Sequence, residues 1–332
     1  MRQRIIGLVV TALVLYGVAP AILDVFGAFD RIDSIKPWWW AVMVLTQVAG
    51  LVSFWEVQRL ALHTRDRFAV ATSNLASGAI GRVIPGGAAA AAALQYQMLV
   101  RGGVNGGTAA TGLTAGSLLL VATLAALPLL ALPAVIGGVH VPRTLFNATL
   151  VGLGLFAALF ALGFLLMRSD RAIDRLGRAA VWGRKKLPGG DAPDDLPEQL
   201  REQRDLVRSA LGEHWMLALA GAAGRWLFDF LTLLAALSAV GAHPRLALAL
   251  IAYCTAQLLA QFPITPGGLG VVEAGMTGTL VLIGVSGGAA ALATLAYRLL
   301  SYWLQLPAGL VGWFLHRRRY GAAAAQVASP PS

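Results

Sequence analysis

The stretch Pro263-Ile264-Thr265-Pro266-Gly267-Gly268-Leu269-Gly270-Val271-Val272-Glu273 sits inside a long apolar region and carries two prolines and three glycines. Proline removes an amide and clashes with the preceding turn, so a helix should end here. The apolar flanks reach only about half a membrane thickness on each side. Non-helical backbone at that depth must be received by protein or by a wet cavity. A second Pro-Gly-Gly, Pro85-Gly86-Gly87, interrupts another apolar segment.

The setting is a bilayer because the chain is 57% hydrophobic and only 13% charged, about half the charged share of a soluble domain. Six full spans are expected, at about 5–23, 38–54, 107–133, 145–167, 215–240 and 289–315. Two re-entrant half-helix pairs are expected at about 68–100 and 246–283. The predicted fold class is all-α: a polytopic membrane protein forming a single integral membrane domain over 1–320, with a disordered tail at 321–332. The first half covers about 1–134 and the second about 145–315. The net charge of +10 does not indicate a nucleic-acid partner, because the basic residues gather at span ends. A lone Cys254 excludes an intrachain disulfide and any cysteine-based metal cluster. No paired-histidine motif, phosphate loop or nucleophile elbow is found, so neither an enzyme nor a cofactor or metal site is expected.

The two Pro-Gly-Gly sites lie 181 residues apart. The same offset lays Gly103-Val104-Asn105-Gly106-Gly107 on Gly284-Val285-Ser286-Gly287-Gly288. Each half then reads as span, span, re-entrant pair, span, with a charged insertion at 168–213 in the second half. With both termini cytoplasmic, 19 of the 26 arginine and lysine residues fall inside, as the positive-inside rule requires. Three full spans separate the two breaks, so the repeat is inverted, a transporter signature. The 168–213 segment carries 10 basic and 9 acidic residues. It reads either as an amphipathic surface helix or as a solvated linker, and it could receive a soluble partner.

Ionisable groups at membrane depth are costly and therefore candidates for function. Here they are Arg82, Arg225, Asp229, Glu273 and Arg298. A plainer reading pairs Arg225 with Asp229 and Arg298 with Glu273, locking helices together. In the functional reading both breaks precede a half-helix, whose N-terminal amides favour anions, and glycine lets a ligand approach the backbone. The candidate substrate-binding set is therefore Arg82, Pro85, Gly86, Gly87, Arg225, Asp229, Thr265, Pro266, Gly267, Gly268, Glu273 and Arg298. The arginines suit a phosphate. Glu273 or Asp229 would bind an amine or carry a proton.

The segment 263–273, with Gly284-Val285 and Tyr297-Arg298-Leu299-Leu300-Ser301-Tyr302-Trp303, closely resembles the lysylphosphatidylglycerol synthase transmembrane-region family, also called flippase-like integral membrane proteins. Ile84-Pro85-Gly86-Gly87 and Tyr96-Gln97-Met98-Leu99 match it more loosely. The resemblance spans about residues 38 to 319. It implies a bacterial or archaeal plasma-membrane protein that handles lipids, with re-entrant segments near a translocation site. The family's best-known members add a soluble aminoacyl-transferase domain. No sequence able to fold as one is found after Leu315, so synthase activity is not expected. The family often has an acid soon after the first Pro-Gly, where this chain has Ala88 to Ala93.

The function expected from all this is a flippase-like transporter. Its cargo would be an anionic or aminoacylated phospholipid, or a polyprenyl-phosphate-linked glycolipid, moved between leaflets. The alternatives are a membrane-embedded transferase acting on a lipid-linked substrate and a non-transporting scaffold. A homo-oligomer is left open.

Overall fold

A computed structural model describes residues 29–84, 87–131, 212–260 and 268–327, with isolated positions between 154 and 205. The spans expected at 5–23 and 145–167, most of 168–213, and Pro85, Gly86, Thr265, Pro266 and Gly267 lie outside the described residues.

Among the described residues the chain is all-α. A short 3-10 turn, Phe29–Ser34, leads to α1, Pro37–Ala61, which has proline in its first turn and Arg59 in its last. Both placements suit a helix, since proline needs no amide there and a cation meets the carboxyl end of the dipole. Helix α2, Arg67–Val83, begins where Asp66 accepts a hydrogen bond from the Ala69 amide at 3.0 Å. It ends at Ile84, held extended before a proline. Helix α3 is Ala88–Arg101 and α4 is Gly106–Ala126, the latter capped by Asn105 and followed by a 3-10 turn, Leu127–Ala131. The second described region runs α5 Trp215–Ala239, α6 Leu246–Ala260, α7 Val271–Leu282 and α8 Gly287–Arg298. A π segment, Leu299–Trp303, then passes into α9, Gln305–Val327.

Among the described residues, three stretches of 25 residues are long and apolar enough to cross a membrane: Pro37–Ala61, Gly106–Leu130 and Trp215–Ala239. By contrast α3, α6 and α7 have 14, 15 and 12 residues, so at about 1.5 Å per residue they fall short of a ~30 Å hydrocarbon core. The last expected span is composite. The Leu304 amide bonds to the Leu299 carbonyl, and Pro307 has no amide to offer Trp303, so the regular ladder is interrupted where α8 gives way to α9.

Helices α3 and α7 close in the same way. Val104 donates to the Leu99 carbonyl at 3.0 Å, and Val285 donates to Leu280 at 3.1 Å. Gly103 and Gly284 take φ +90° and +95°, a left-handed conformation that favours glycine.

The most extensive packing joins α1 to α5 and α2 to α9. Both seams are built on small residues, which let helix backbones approach where lipid offers no hydrophobic drive. In the first, a Cβ at Gly221 would meet the Ser53 carbonyl oxygen at 3.1 Å; in the second, one at Gly309 would meet that of Leu75 at 2.6 Å. Tyr320 on α9 also donates its hydroxyl to Asp66, tying the two ends together. The main core lies among α5, α6 and α8, with Met43, Leu124 and Met276 completing it.

Candidate functional site

Asp229 lies one helical turn after Arg225 on α5 and is 1% exposed. A bare carboxylate could not persist there, and this one is surrounded by donors from four helices. Arg225 Nη1 and Gln47 Nε2 donate to Oδ1 at 3.0 and 2.9 Å. Tyr253 and Tyr297 donate their hydroxyls to Oδ2 at 2.8 and 2.6 Å, and Gln257 Nε2 reaches the same oxygen at 3.0 Å. Gln257 also donates to the Tyr297 hydroxyl at 2.7 Å. These five donors, one of them the Arg225 cation, satisfy both carboxylate oxygens and fasten α1, α5, α6 and α8 at one point.

The second acid is Glu273, in the first turn of α7. Its Oε2 accepts from the Gly270 amide at 2.7 Å, and its Oε1 accepts from Arg298 Nε at 2.6 Å. One carboxylate therefore caps a helix N-terminus and neutralises the arginine at the end of α8. Gly270 reaches this position at φ +80°. The Arg298 guanidinium carbon lies 4.6 Å from the centre of the Tyr302 ring, within cation–π range.

Arg82 is held differently. It donates to its own helix at the Gly78 carbonyl, 2.6 Å away, and to Gln305 Oε1 on α9. Tyr302 donates to the Arg82 carbonyl at 3.2 Å. Among the described residues no carboxylate pairs with Arg82. Gln305 is 8% exposed, and its Nε2 donor has no protein acceptor in the described residues. Three arginines thus share two acids, and the surplus charge sits at Arg82 beside a spare amide donor.

Of the residues singled out from sequence, Arg82, Arg225, Asp229, Glu273 and Arg298 fall in this one polar region. Gly87 forms the turn into α3, and its amide bonds to Ile84. Gly268 stands two residues before Gly270 at φ +70°. The α7 amide at Gly270, expected to be open to an anion, is filled by Glu273. The first turn of α3 has no side-chain cap. Sequence reasoning missed Gln47, Tyr253, Gln257 and Gln305, and it had Tyr297 and Tyr302 only as letters of a motif. The available signal was a glutamine inside an apolar run.

Long apolar helices, half-length partners between them and a charged centre buried by several helices define a multi-pass membrane protein. The chain belongs to the family described as the lysylphosphatidylglycerol synthase TM region, whose family model matches residues 4–309. That family is linked to lipid handling. No curated protein matches the chain.

Proposed function

We propose that this protein is a flippase-like transporter that moves a lipid with an anionic phosphate head group between leaflets. One observation carries this: Arg82 is a half-buried cation that pairs with no carboxylate among the described residues, whereas Arg225 and Arg298 each have one. A cation at membrane depth is expensive unless something anionic visits it, and a phosphate accepts well from guanidinium and amide donors together. In this reading Asp229 and Glu273 hold the site's shape, while Arg82 and Gln305 receive the phosphate.

The half-length helices support the same reading. Helix pairs α2–α3 and α6–α7 are taken as two re-entrant hairpins of an inverted repeat. The matching turns at Gly103 and Gly284, 181 residues apart, agree with that pairing. Each hairpin aims a helix N-terminus inward, and rocking one half against the other would expose the site to each leaflet in turn. Both termini are placed on the cytoplasmic side of a bacterial plasma membrane, as the arginine distribution favours.

The test is reconstitution of the full chain into vesicles containing fluorescent phosphatidylglycerol, read by quenching of the outer leaflet. The protein should make the inner pool accessible, and Arg82→Gln should abolish that activity. Exchange no faster than in empty vesicles, or an Arg82→Gln protein as active as the parent, would overturn the proposal.

A further inference from the structure

Two cavities at the α2–α3–α9 seam form one cleft. The outer one, of about 490 Å³, is lined by Arg101, Trp313, His316, Arg317 and Tyr320 together with Leu94. The inner one, of about 540 Å³, is almost wholly apolar, and Ile80, Val83, Leu306 and Leu310 are among its walls. Leu94 and Trp313 line both, so the basic mouth opens directly into the apolar groove. The groove runs to within one residue of the site above: Val83 follows Arg82, and Leu306 follows Gln305.

We infer that this cleft seats one phospholipid from the leaflet bordered by Arg101 and Arg317, its phosphate on those two arginines and an acyl chain along the groove. The inference deepens the transport reading and rests on it for the lipid's role as cargo. Charge fits chemistry at each level. Arg101 and Arg317 are exposed, and neither pairs with a carboxylate among the described residues. Arg317 lies 5.5 Å from the centre of the Trp313 ring, and tryptophan beside arginine is the usual composition of a head-group interface. His316 lines the mouth, but its two ring nitrogens are already engaged by the Thr72 hydroxyl and the Met98 carbonyl. The two arginines therefore carry the charge of the mouth. A free phosphate would satisfy them but leave the groove unfilled. A neutral diacyl lipid would fill the groove but leave the arginines without an anion. Only a molecule with both parts matches the cleft.

The experiment is native mass spectrometry of the delipidated full chain in detergent, titrated with phosphatidylglycerol, with diacylglycerol and with inorganic phosphate as comparison probes. The parent should retain one phosphatidylglycerol. Arg101→Gln with Arg317→Gln should weaken retention about 30-fold, from two surface arginine contacts. Arg318→Gln, whose guanidinium lies over Phe314 instead, should leave retention unchanged. Equal retention of diacylglycerol, displacement by millimolar inorganic phosphate, or an equal loss in the Arg318 variant would each overturn the seat. A parent that keeps its phosphatidylglycerol through the arginine pair but never moves it across vesicles leaves the seat standing and removes the transport reading.

Discussion

Replacing Asp229 with asparagine keeps the side chain's shape and removes its charge, so the cost can be worked from the five donors around it. An amide has one acceptor oxygen and one NH2 group. If the oxygen faces Tyr253, Gln257 and Tyr297, the NH2 group confronts Arg225 and Gln47. Two donors then lose their acceptor, and a cation buried among α1 and α5 loses its counter-charge. Stripping one partner from a buried ion pair costs about 3–5 kcal/mol, and the orphaned Gln47 amide adds about 1 kcal/mol. Taking about 4 kcal/mol overall, since such terms do not add fully, the melting temperature should fall by roughly 8–16 °C. The assay is thermal unfolding in a fixed detergent and lipid mixture, followed by intrinsic fluorescence. Tyr297→Phe removes one of the five donors and should cost only about 1–2 kcal/mol. If Asp229→Asn melts within about 3 °C of the parent, the carboxylate does not fasten the four helices together.

The pair Glu273 and Arg298 should behave as a unit. Each single change to glutamine is expected to cost about 3–5 kcal/mol, and the double variant clearly less than their sum, which a double-mutant thermal cycle measures directly. At the α2–α9 seam, Gly309→Ala drives a methyl group against Ala79 and the Leu75 carbonyl. It should destabilise the protein by about 1–3 kcal/mol in the same unfolding assay. The Asp66–Tyr320 tie should make stability depend on pH. Burial alone would raise the Asp66 carboxyl, but hydrogen bonds from Tyr320 and the Ala69 amide, with Arg319 nearby, hold it below the ordinary value. Burial and the bond to Asp66 push the Tyr320 hydroxyl up to about 12. A depressed carboxyl contributes stability above its unfolded value of about 4 and loses it as pH falls through the folded one. The raised phenol's contribution is whole below its unfolded value of about 10 and is lost as pH climbs through about 12. Tyr320→Phe should therefore melt below the parent at pH 7, with the difference closing in acid; a gap of constant size across that range would refute the tie.

What could be read from the chain alone follows from how each feature is encoded. Helix ends are local: Pro85 forces Ile84 out of the helix, and glycine carries the positive φ at Gly103 and Gly284. Hence α2, α3 and the start of α7 were legible. Charges in apolar runs were legible too, because lipid leaves them so few alternatives. Their uncharged partners were not. Gln305 meets Arg82 across 223 residues of chain, and Gln47 meets Asp229 across 182. Nothing local distinguishes these glutamines from polar side chains that merely face a neighbour. The break between α8 and α9 was missed for a related reason. Pro307 stands early enough in α9 to pass as an ordinary first-turn proline, and only the Leu304-to-Leu299 bond reveals the π segment.

Under the proposed repeat, the offset of 181 residues makes the site lopsided. It places Ala92 where the second half has Glu273, and Ser117 where it has Arg298. The second half therefore owns an acid that caps α7 and an arginine that the acid neutralises, while the first half has neither. It has Arg82 instead, at the end of α2, held by the Gly78 carbonyl of its own helix and by the Gln305 amide oxygen of α9. Two acids fix α1, α5, α6, α7 and α8 to one another through named bonds. Among the described residues neither acid bonds to α3, which is tied instead through Gln95 to Gln58 on α1 and through the Met98 carbonyl to His316 on α9. The unbalanced charge at the end of α2 thus lies next to the apolar groove, whose walls come from α2, α3 and α9.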